Sequence, residues 1–503
     1  MSVRLRVENV FTYVEGTFKS SVKAEIDARL SYMLPDAQFA IKGWEAKKRK
    51  ELVKKYGKER GETMELPWRW DGKFRFYEAK NHRFPTGFFG KVRRIMLSHN
   101  QEYSVVDLRA KIDPSLKLSL KNLTPRPYQI EIKDKAILQQ RGIIELGTGG
   151  GKTEIMAMIL AELRRPAIVL IHKETIFRQL IKRLSYRLGT RVGAVGANEV
   201  HKAPITVAMT QTILHKKHLD YLQTFPIVMA DEAHHVPADT IYEILQSCTN
   251  AFYRYAFTAT PWREDGKEMF LESAFGDFIS RMRPTKLIDI GMLTKPRIFF
   301  LDVPNEEDDD ALSWQSQYTK TIVNGHYRNR LVLSAAYLFW KLKKTCLIAV
   351  TQIKHGENLL KMLKKSYPSI RAKFIQGEDE SQEKQDVLDK LDRREIDVVI
   401  ATSVFGEGID VPSLDCLINA KGQDSKIDVF QLIGRAIRKT EKKNHAYFID
   451  FMDNQYYTKP HALNRMNVLK SELGYVVKKL DGGIEELTKE VEEVEKEPAF
   501  VPL

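Results

Sequence analysis

The sequence predicts an α/β protein: two tandem parallel-sheet domains preceded by a small α+β N-terminal domain. From about residue 126, short apolar runs alternate with helical stretches, and the same alternation restarts near residue 345. Strands that alternate with helices are typical of parallel sheets covered on both faces. The first 110 residues instead concentrate basic and aromatic side chains, which indicates a separate element ahead of the two sheets.

Each predicted strand is a short run of apolar residues. In the first sheet domain these runs are GIIEL, AIVLI, ITVAM, IVMAD and YAFTAT, and in the second they are CLIAV, AKFIQ, DVVIAT, CLINA and AYFID. The resulting domain boundaries are 1–110 for a small basic domain, 111–125 for a linker, 126–290 for the first sheet domain, 291–340 for a connector, 341–480 for the second sheet domain and 481–503 for an acidic tail. We expect the tail to be a solvated helix followed by a loose end.

Composition excludes several classes of protein. The 503 residues are 43% hydrophobic and 29% charged, which is ordinary for a globular chain of about three domains and excludes disorder, collagen and disulfide scaffolds for most of its length. The three cysteines are far apart and form no CxxC pair, so we expect neither a disulfide framework nor a thiolate zinc site. Because the chain has no apolar signal region and no 18-residue apolar run, we expect a cytoplasmic protein without a membrane partner, in the host cytoplasm if it is viral.

Positive charge is concentrated near the N-terminus. The net charge is +14, and residues 1–110 hold 23 Lys and Arg against 14 Asp and Glu, a local excess of +9. Such an excess favours a polyanionic partner, either nucleic acid or an anionic surface. The run from Lys47 to Arg60, which includes Lys48 and Arg49, is either a solvated helix face or a surface that contacts phosphates.

Aromatic residues follow this basic run. We expect most of those between residues 68 and 89 to pack a small core and one or two to stack on bases. Asp71 and Gly72 predict the turn of a β-hairpin.

A glycine-rich loop is the sharpest chemical signal. In IIELGTGGGKTEIMAMIL, residues 143–160, a strand ends at Leu146 and a helix begins near Lys152. Backbone N–H groups in such a turn converge on phosphates, and the helix N-terminus adds positive potential. The predicted nucleotide-binding residues here are Leu146, Gly147, Thr148, Gly149, Gly150, Gly151, Lys152 and Thr153. Lys152 would reach the β- and γ-phosphates, and the Thr153 hydroxyl would hold Mg²⁺.

Two adjacent carboxylates follow the strand IVMAD. Asp231 and Glu232 come at the carboxyl end of this strand, where open parallel sheets bind ligands. We expect Asp231 to hold Mg²⁺ and Glu232 to polarise the attacking water. His234 lies within the same motif and is assigned a linking role, whereas His235 is expected to be exposed.

A helix late in the second domain carries three polar residues on one face. Gln431, Arg435 and Arg438 are three to four residues apart, so one helical face presents all three. Arginines presented to a nucleotide can stabilise the phosphoryl-transfer transition state. A helix with two solvated arginines is the alternative.

Together these motifs resemble superfamily 2 helicases and translocases over roughly residues 120–455. The resemblance implies two RecA-like domains that use ATP and Mg²⁺. It assigns RPYQ, with Arg126 and Gln129, to adenine recognition, and TAT, Thr258–Thr260, to coupling hydrolysis with strand movement. It also places Gly408 and Asp410 at the nucleotide.

The same resemblance implies a set of nucleic-acid contacts. They are spread over motifs that resemble Ia, Ib, IV and V, and to them we add the basic run near the N-terminus. The predicted contacts are Lys173, Arg178, Thr210, Gln211, Lys354, Thr402, Ser403, Lys47, Lys48 and Arg49.

Two further similarities indicate the substrate. TATPWREDG, from residue 258, resembles the DNA-repair branch related to XPB, and residues 70–95 resemble the N-terminal domain of phage UvsW-type recombination helicases. This resemblance implies an ATP-dependent helicase that acts on branched DNA in recombination, repair or replication. The alternatives are an RNA-dependent ATPase and a duplex translocase or clamp that does not unwind. The sequence does not determine the oligomeric state, and we favour a monomer.

Overall fold

The computed structural model of the chain divides it into two compact units. The first comprises Met1–Glu145 with Lys152–Arg281, and the second Leu146–Gly151 with Met282–Leu503. The residues it describes are 2–34, 37–66, 71–215, 220–233, 238–259, 268–305, 313–377, 379, 381–402, 414–424, 429, 432–434, 437, 443, 445–471 and 475–497. Within these ranges, no helix is both long enough and apolar enough to cross a membrane.

The N-terminal part of the first unit is an α+β fold, as predicted. Its strands are β1 (Val3–Val7), β2 (Phe11–Glu15), β3 (Ser31–Met33), β4 (Lys73–Arg75), β5 (Arg83–Pro85) and β6 (Tyr103–Asp107). Its helices are α1 (Ser20–Arg29), α2 (Ala37–Tyr56), α3 (Lys58–Thr63) and α4 (Phe89–Ser98). The main sheet has the order β5-β2-β1-β6, with β1 antiparallel to β2 and parallel to β6. β4 pairs with the distant β3, whereas the residues before the predicted turn, 67–70, lie outside the described ranges.

The aromatic residues of this region mainly form a core, as predicted. Phe76, Phe84 and Phe88 are buried, and the ring of Phe270 lies 4.9 Å from that of Phe76. Phe270 belongs to a helix of the first parallel-sheet domain. Gly87 also approaches that helix so closely that an added Cβ would lie 2.3 Å from the Ser273 carbonyl oxygen. The N-terminal region therefore shares its core with the first sheet domain.

The first unit also contains an eight-stranded sheet with the order β10-β9-β11-β8-β12-β13-β7-β14. The strands are β7 (Arg141–Leu146), β8 (Ala167–Ile171), β9 (Gly193–Gly196), β10 (Glu199–His201), β11 (Ile205–Met209), β12 (Ile227–Asp231), β13 (Tyr253–Thr258) and β14 (Phe278–Met282). The helices are α5 (Pro127–Gln139), α6 (Lys152–Leu163), α7 (Glu174–Leu188), α8 (Thr210–Ile213), α9 (Ala238–Ser247) and α10 (Glu268–Phe275). The five predicted strands are confirmed, and β9 to β11, β11 to β8, β8 to β12, β12 to β13 and β13 to β7 are all parallel.

The predicted linker has no regular structure but is held on this domain. The backbone N–H groups of Ser115 and Leu116 both donate to the Arg164 carbonyl at 3.0 Å, and that of Lys121 donates to the Arg187 carbonyl at 2.7 Å. The segment therefore runs along the ends of α6 and α7 rather than swinging freely.

The second unit is built on a parallel sheet of seven strands with the order β17-β18-β16-β19-β20-β15-β21. These strands are β15 (Pro296–Val303), β16 (Cys346–Ala349), β17 (Ala372–Ile375), β18 (Val398–Ala401), β19 (Cys416–Asn419), β20 (Ala446–Asp453) and β21 (Val476–Leu480). Its helices are α11 (Pro284–Asp289), α12 (Trp314–Gln317), α13 (His326–Lys341), α14 (Ile353–Ser366), α15 (Ser381–Asp392), α16 (Thr458–Lys470) and α17 (Gly483–Lys496), and a π-helical turn spans Tyr318–Val323. The five predicted strands of this domain are confirmed.

Two segments differ from the prediction. The predicted connector contributes β15 to the sheet, between β20 and β21, because PRIFFLDV is apolar enough to form a buried strand. The acidic tail is not a solvated helix, since Leu487, Val491 and Val494 of α17 are buried in the core of this unit. These apolar residues have helical spacing, but the prediction was based on the acidic composition of the tail and overlooked them.

Candidate active site

The glycine-rich loop is a turn that contains two glycines with positive φ. Gly149 and Gly151 have φ of +84° and +86°, a region that favours glycine. The N–H of Gly147 donates to the Met282 carbonyl at 3.0 Å, and the N–H of Gly150 donates back to Gly147 at 2.9 Å. Leu146, which departs from the usual glycine, is buried, and its side chain lies where a Cβ on Gly150 would have to go.

The predicted lysine and carboxylates lie together in the first unit. The Lys152 ammonium, at the start of α6, donates to Glu232 Oε1, and the two side chains are 13% and 19% exposed. Asp231, at the end of β12, is buried, and its Oδ1 accepts the Glu232 N–H at 3.1 Å. Thr153 is half-buried in the first turn of the same helix. Lys152 and Glu232 are 80 residues apart in the sequence, and the pairing of strands in the sheet brings their side chains into contact.

The strand after the carboxylates contributes a backbone group. The N–H of Ala259, just beyond the end of β13, donates to Glu232 Oε2 at 3.3 Å. Glu232 itself has φ of +44°, which is uncommon for a residue with a Cβ and is found at functional sites. The carboxylate is thereby held between a lysine and the predicted coupling motif. The sequence placed Ala259 within this motif, but only the structure shows that its backbone N–H contacts Glu232.

The predicted adenine-recognition residues cap α5. The Gln129 side chain accepts the backbone N–H of Arg126 at 3.0 Å, and the Gln129 N–H donates to the Arg126 carbonyl at 3.0 Å. Gln129 is buried, whereas Arg126 is exposed and donates to the Tyr128 hydroxyl at 3.2 Å. The structure therefore places the arginine, but not the glutamine, at the surface.

The predicted nucleic-acid residues of the first sheet lie at the ends of adjacent strands. His172 follows β8 and Gln211 follows β11, and the Gln211 amide donates to the His172 carbonyl at 3.1 Å. Thr210 is buried with its hydroxyl 3.3 Å from His172 Nδ1, so its side chain supports this pair. Lys173 is half-buried, while Arg178 is exposed. His172 was not singled out from the sequence, and only the pairing of β8 with β11 reveals its position.

The remaining residues that were predicted to contact nucleic acid differ in their exposure and in their contacts within the protein. Lys47 is exposed and Lys48 pairs with Glu51 at 2.7 Å, whereas Arg49 donates to the Gly61 carbonyl at 3.2 Å and so ties α3 to α2. The basic run therefore contains an arginine that holds two helices together and an exposed lysine. In the second unit Lys354 is exposed, but Thr402 is buried.

Several predicted residues lie outside the described ranges. They belong to the motifs that follow β12, β18 and β19. These residues are His234, Ser403, Gly408, Asp410, Gln431, Arg435 and Arg438.

Comparison with known proteins confirms the resemblance stated above. Residues 122–263 match the family "Type III restriction enzyme, res subunit", and residues 330–440 match "Helicase conserved C-terminal domain". The chain is 23% identical to the ATP-dependent DNA helicase uvsW of Enterobacteria phage T4, covering 78% of this chain and 84% of the relative. It is 25% identical to the DNA 3'-5' translocase XPB2 of Sulfurisphaera tokodaii, covering 63% and 79%.

A solved structure with the same fold is that of S. cerevisiae Dbp5 bound to RNA and ADP BeF3. It has a TM-score of 0.53 and 16% identity, and the match covers 73% of this chain and 93% of the other. The two parallel sheets are therefore RecA-like, and the chain carries the helicase domains of an ATP-hydrolysing enzyme of superfamily 2.

Proposed function

We propose that this ATP-hydrolysing helicase moves on DNA and remodels branched DNA, such as forks, Holliday junctions and displacement loops. The observation that carries the proposal is the contact of Glu232 with both Lys152 and Ala259. It joins a phosphate-binding lysine to the motif expected to transmit hydrolysis to a nucleic acid. The relatives include the ATP-dependent DNA helicase uvsW of Enterobacteria phage T4 and the DNA 3'-5' translocase XPB2 of Sulfurisphaera tokodaii, which favours DNA as the polymer.

The first unit supplies the hydrolytic groups in this proposal. Lys152 binds phosphate oxygens, and Glu232 positions the attacking water. Asp231 and Thr153 have the carboxylate and hydroxyl oxygens that Mg²⁺ prefers, and Asp231 lies next to Glu232 in the chain. A bound magnesium ion would neutralise phosphate charge during phosphoryl transfer. Arg126 is the exposed candidate for contact with adenine.

Sequence motifs supply the rest of the proposed machinery. Arg435 and Arg438 would stabilise charge on the γ-phosphate, and Gln431, Gly408 and Asp410 would line the nucleotide beside them. ATP binding and release would then alternate two states of the motor, because ATP stabilises one state more than the other.

The N-terminal region favours a branched substrate. Its local charge excess of +9 attracts phosphates, and Lys47 offers an exposed cation on α2. The core of this region, which contains residues of β1, β2, α1 and α4, is completed by Phe270, so the region packs directly on the first sheet domain. Such a rigid attachment suits a domain that holds one arm of a junction while the motor pulls on another.

The test is the steady-state ATPase rate of the full chain with no nucleic acid, single-stranded DNA, four-way junction DNA and structured RNA, at two salt concentrations. We expect junction DNA to stimulate turnover most strongly, and Glu232→Gln to give the background rate. Stimulation by RNA alone would move the protein to the RNA-dependent ATPases, and binding of DNA without stimulation would indicate a clamp.

A further inference from the structure

The exposed face of α7 is strongly basic. Residues 173–191 hold six Lys and Arg residues against one acidic residue, Glu174. We infer that the face of α7 that carries Arg178, Lys182 and Tyr186 binds the phosphate backbone of a DNA duplex; this inference rests on the proposed function. Of these three residues, only Arg178 was among the predicted nucleic-acid contacts.

The length of this row of side chains follows from helix geometry. Residues four apart lie on one face, about 6 Å apart along the axis, so Arg178, Lys182 and Tyr186 form a row about 12 Å long. Lys182 is exposed, the Arg178 side chain is 61% exposed and Tyr186 is 58% exposed. Duplex DNA carries one charge per about 1.7 Å of its axis, so the row extends over several phosphates. An extended polyanion therefore fits it better than a free phosphate ion.

The opposite face of α7 is fixed to the first sheet domain. Phe177, Leu180, Leu184 and Leu188 recur at intervals of three or four residues, and all are buried. A helix anchored along its length presents its outer side chains in one arrangement, which lowers the entropic cost of binding.

The arginines of α7 are only weakly neutralised by carboxylates. Arg183 Nε and Arg187 Nη2 share one carboxylate oxygen, since both lie 3.4 Å from Glu154 Oε1. Arg178 pairs with Glu199 at 2.8 Å, and these two side chains are 61% and 47% exposed. Because an exposed ion pair contributes little to stability, a phosphate can replace the Glu199 carboxylate.

Lys182 is the central cation of the row. Among the residues that the structure describes, it has no ion-pair partner. A solvated helix face usually mixes both signs of charge, as α15 does with Glu383, Asp389 and Lys390. Beyond its first turn α7 carries positive charges only, which favours a polyanionic partner.

The basic face continues onto the segment that leads from the N-terminal region. The Lys121 N–H donates to the Arg187 carbonyl at 2.7 Å, in the last turn of α7. The exposed Lys121 side chain lies against Gly189, where an added Cβ would come within 2.5 Å of Lys121 Cε. This segment therefore adds a cation at the end of α7 that is nearer in the chain to the basic N-terminal region.

The side chains of this face favour a duplex over a single strand. Proteins that bind single strands combine a basic groove with aromatic rings on which successive bases stack. Of the two aromatic rings on α7, Phe177 is buried and Tyr186 is exposed. The Tyr186 hydroxyl can donate to a phosphate oxygen, as tyrosine does in protein–DNA contacts. Cations with one hydroxyl recognise a backbone rather than unpaired bases.

Binding of the full chain to a fluorescent blunt DNA duplex and to a single strand of equal length, measured by anisotropy over a range of salt concentrations, tests the inference. We expect Lys182→Glu to weaken duplex binding about tenfold at low salt and single-strand binding less than about twofold. Lys182→Ala should lower the slope of log duplex affinity against log salt by about 0.9, as loss of one phosphate contact predicts. The matched control is Lys489→Glu, the same change of charge at an exposed position on the acidic helix α17.

Thermal melting of each variant monitors folding, and Lys182→Ala decides the matter if Lys182→Glu melts at a lower temperature. Lys182 variants that melt like the wild type and bind the duplex as Lys489→Glu does would show that α7 is not a duplex contact. An equal loss on the single strand would overturn the assignment to a duplex. The proposed function fails separately, if junction DNA does not stimulate the ATPase rate of the wild-type protein, because duplex binding is measured without turnover.

Discussion

Lys152–Glu232 in the first unit and Arg465–Asp450 in the second unit are the same kind of ion pair in opposite surroundings. Lys152 and Glu232 are 13% and 19% exposed, whereas Arg465 and Asp450 are 1% and 0% exposed. The Asp450 carboxylate accepts from Arg465 Nε at 2.9 Å and Nη2 at 2.8 Å, and also from Asn419 at 2.9 Å. A ligand can therefore reach Lys152 and Glu232, whereas Arg465 and Asp450 are closed to ligands and stabilise the fold.

Removing one partner of the accessible pair Lys152–Glu232 should have a large effect on ATP turnover and little effect on stability. Lys152→Ala removes the cation expected to bind the phosphates, so we expect the ATPase rate to fall about 100- to 1000-fold, as when one charge-stabilising donor is removed. Steady-state ATPase assays measure this. The matched control is Lys133→Ala, since Lys133 is also 13% exposed and pairs with Glu162. Equal rates for the wild type and Lys152→Ala would exclude the loop as the phosphate site.

Removing one partner of the buried pair Arg465–Asp450 should instead have a large effect on stability. Arg465→Ala leaves the Asp450 carboxylate buried without its cation, which we expect to destabilise the protein by about 3–5 kcal/mol. The melting temperature, followed by circular dichroism, should therefore fall by about 10 °C. Arg371→Ala, which removes an arginine that is 57% exposed and paired with Asp397, should cost less than about 1 kcal/mol. A similar shift for both variants would mean that burial does not distinguish the two kinds of pair.

A buried histidine, His355, extends this comparison to the dependence of stability on pH. Burial, together with the nearby Arg328 charge, lowers the pKa of His355 to about 3. Because the unfolded chain takes up a proton near pH 6.5 and the folded chain does not, stability is complete above that pH and is lost as the pH falls toward 3. Between pH 7 and pH 5 this group alone should cost about 2 kcal/mol.

Urea unfolding at both pH values measures this loss. His355→Gln preserves a donor to Asn329, which accepts from His355 at 2.9 Å, and should reduce the pH dependence by about that amount. His326→Gln, at an exposed position, should leave it unchanged. An unaltered pH dependence in His355→Gln would mean that His355 is protonated in the folded state.

Most strands with a continuous apolar run were predicted correctly, whereas short strands without such a run were not. AIVLI, ITVAM and IVMAD coincide with β8, β11 and β12, because a buried parallel strand is a continuous apolar run. The short edge strand β10 carries no such run, and β4 found a partner about 40 residues away. The strand β15 was apolar enough to be recognised but was assigned to a connector.

For the candidate site, the sequence by itself determined the chemical groups: the glycine loop, Lys152, Asp231 and Glu232 are recognisable because phosphate chemistry requires those residue types in that order. Only the tertiary structure decided their contacts, since β12, β13 and β7 are adjacent in the sheet although far apart in the chain. It also decided that Thr210 is buried and that Arg49 ties two helices together. Burial and backbone contacts depend on which segments meet, and residue spacing along one segment carries no information about its distant neighbours.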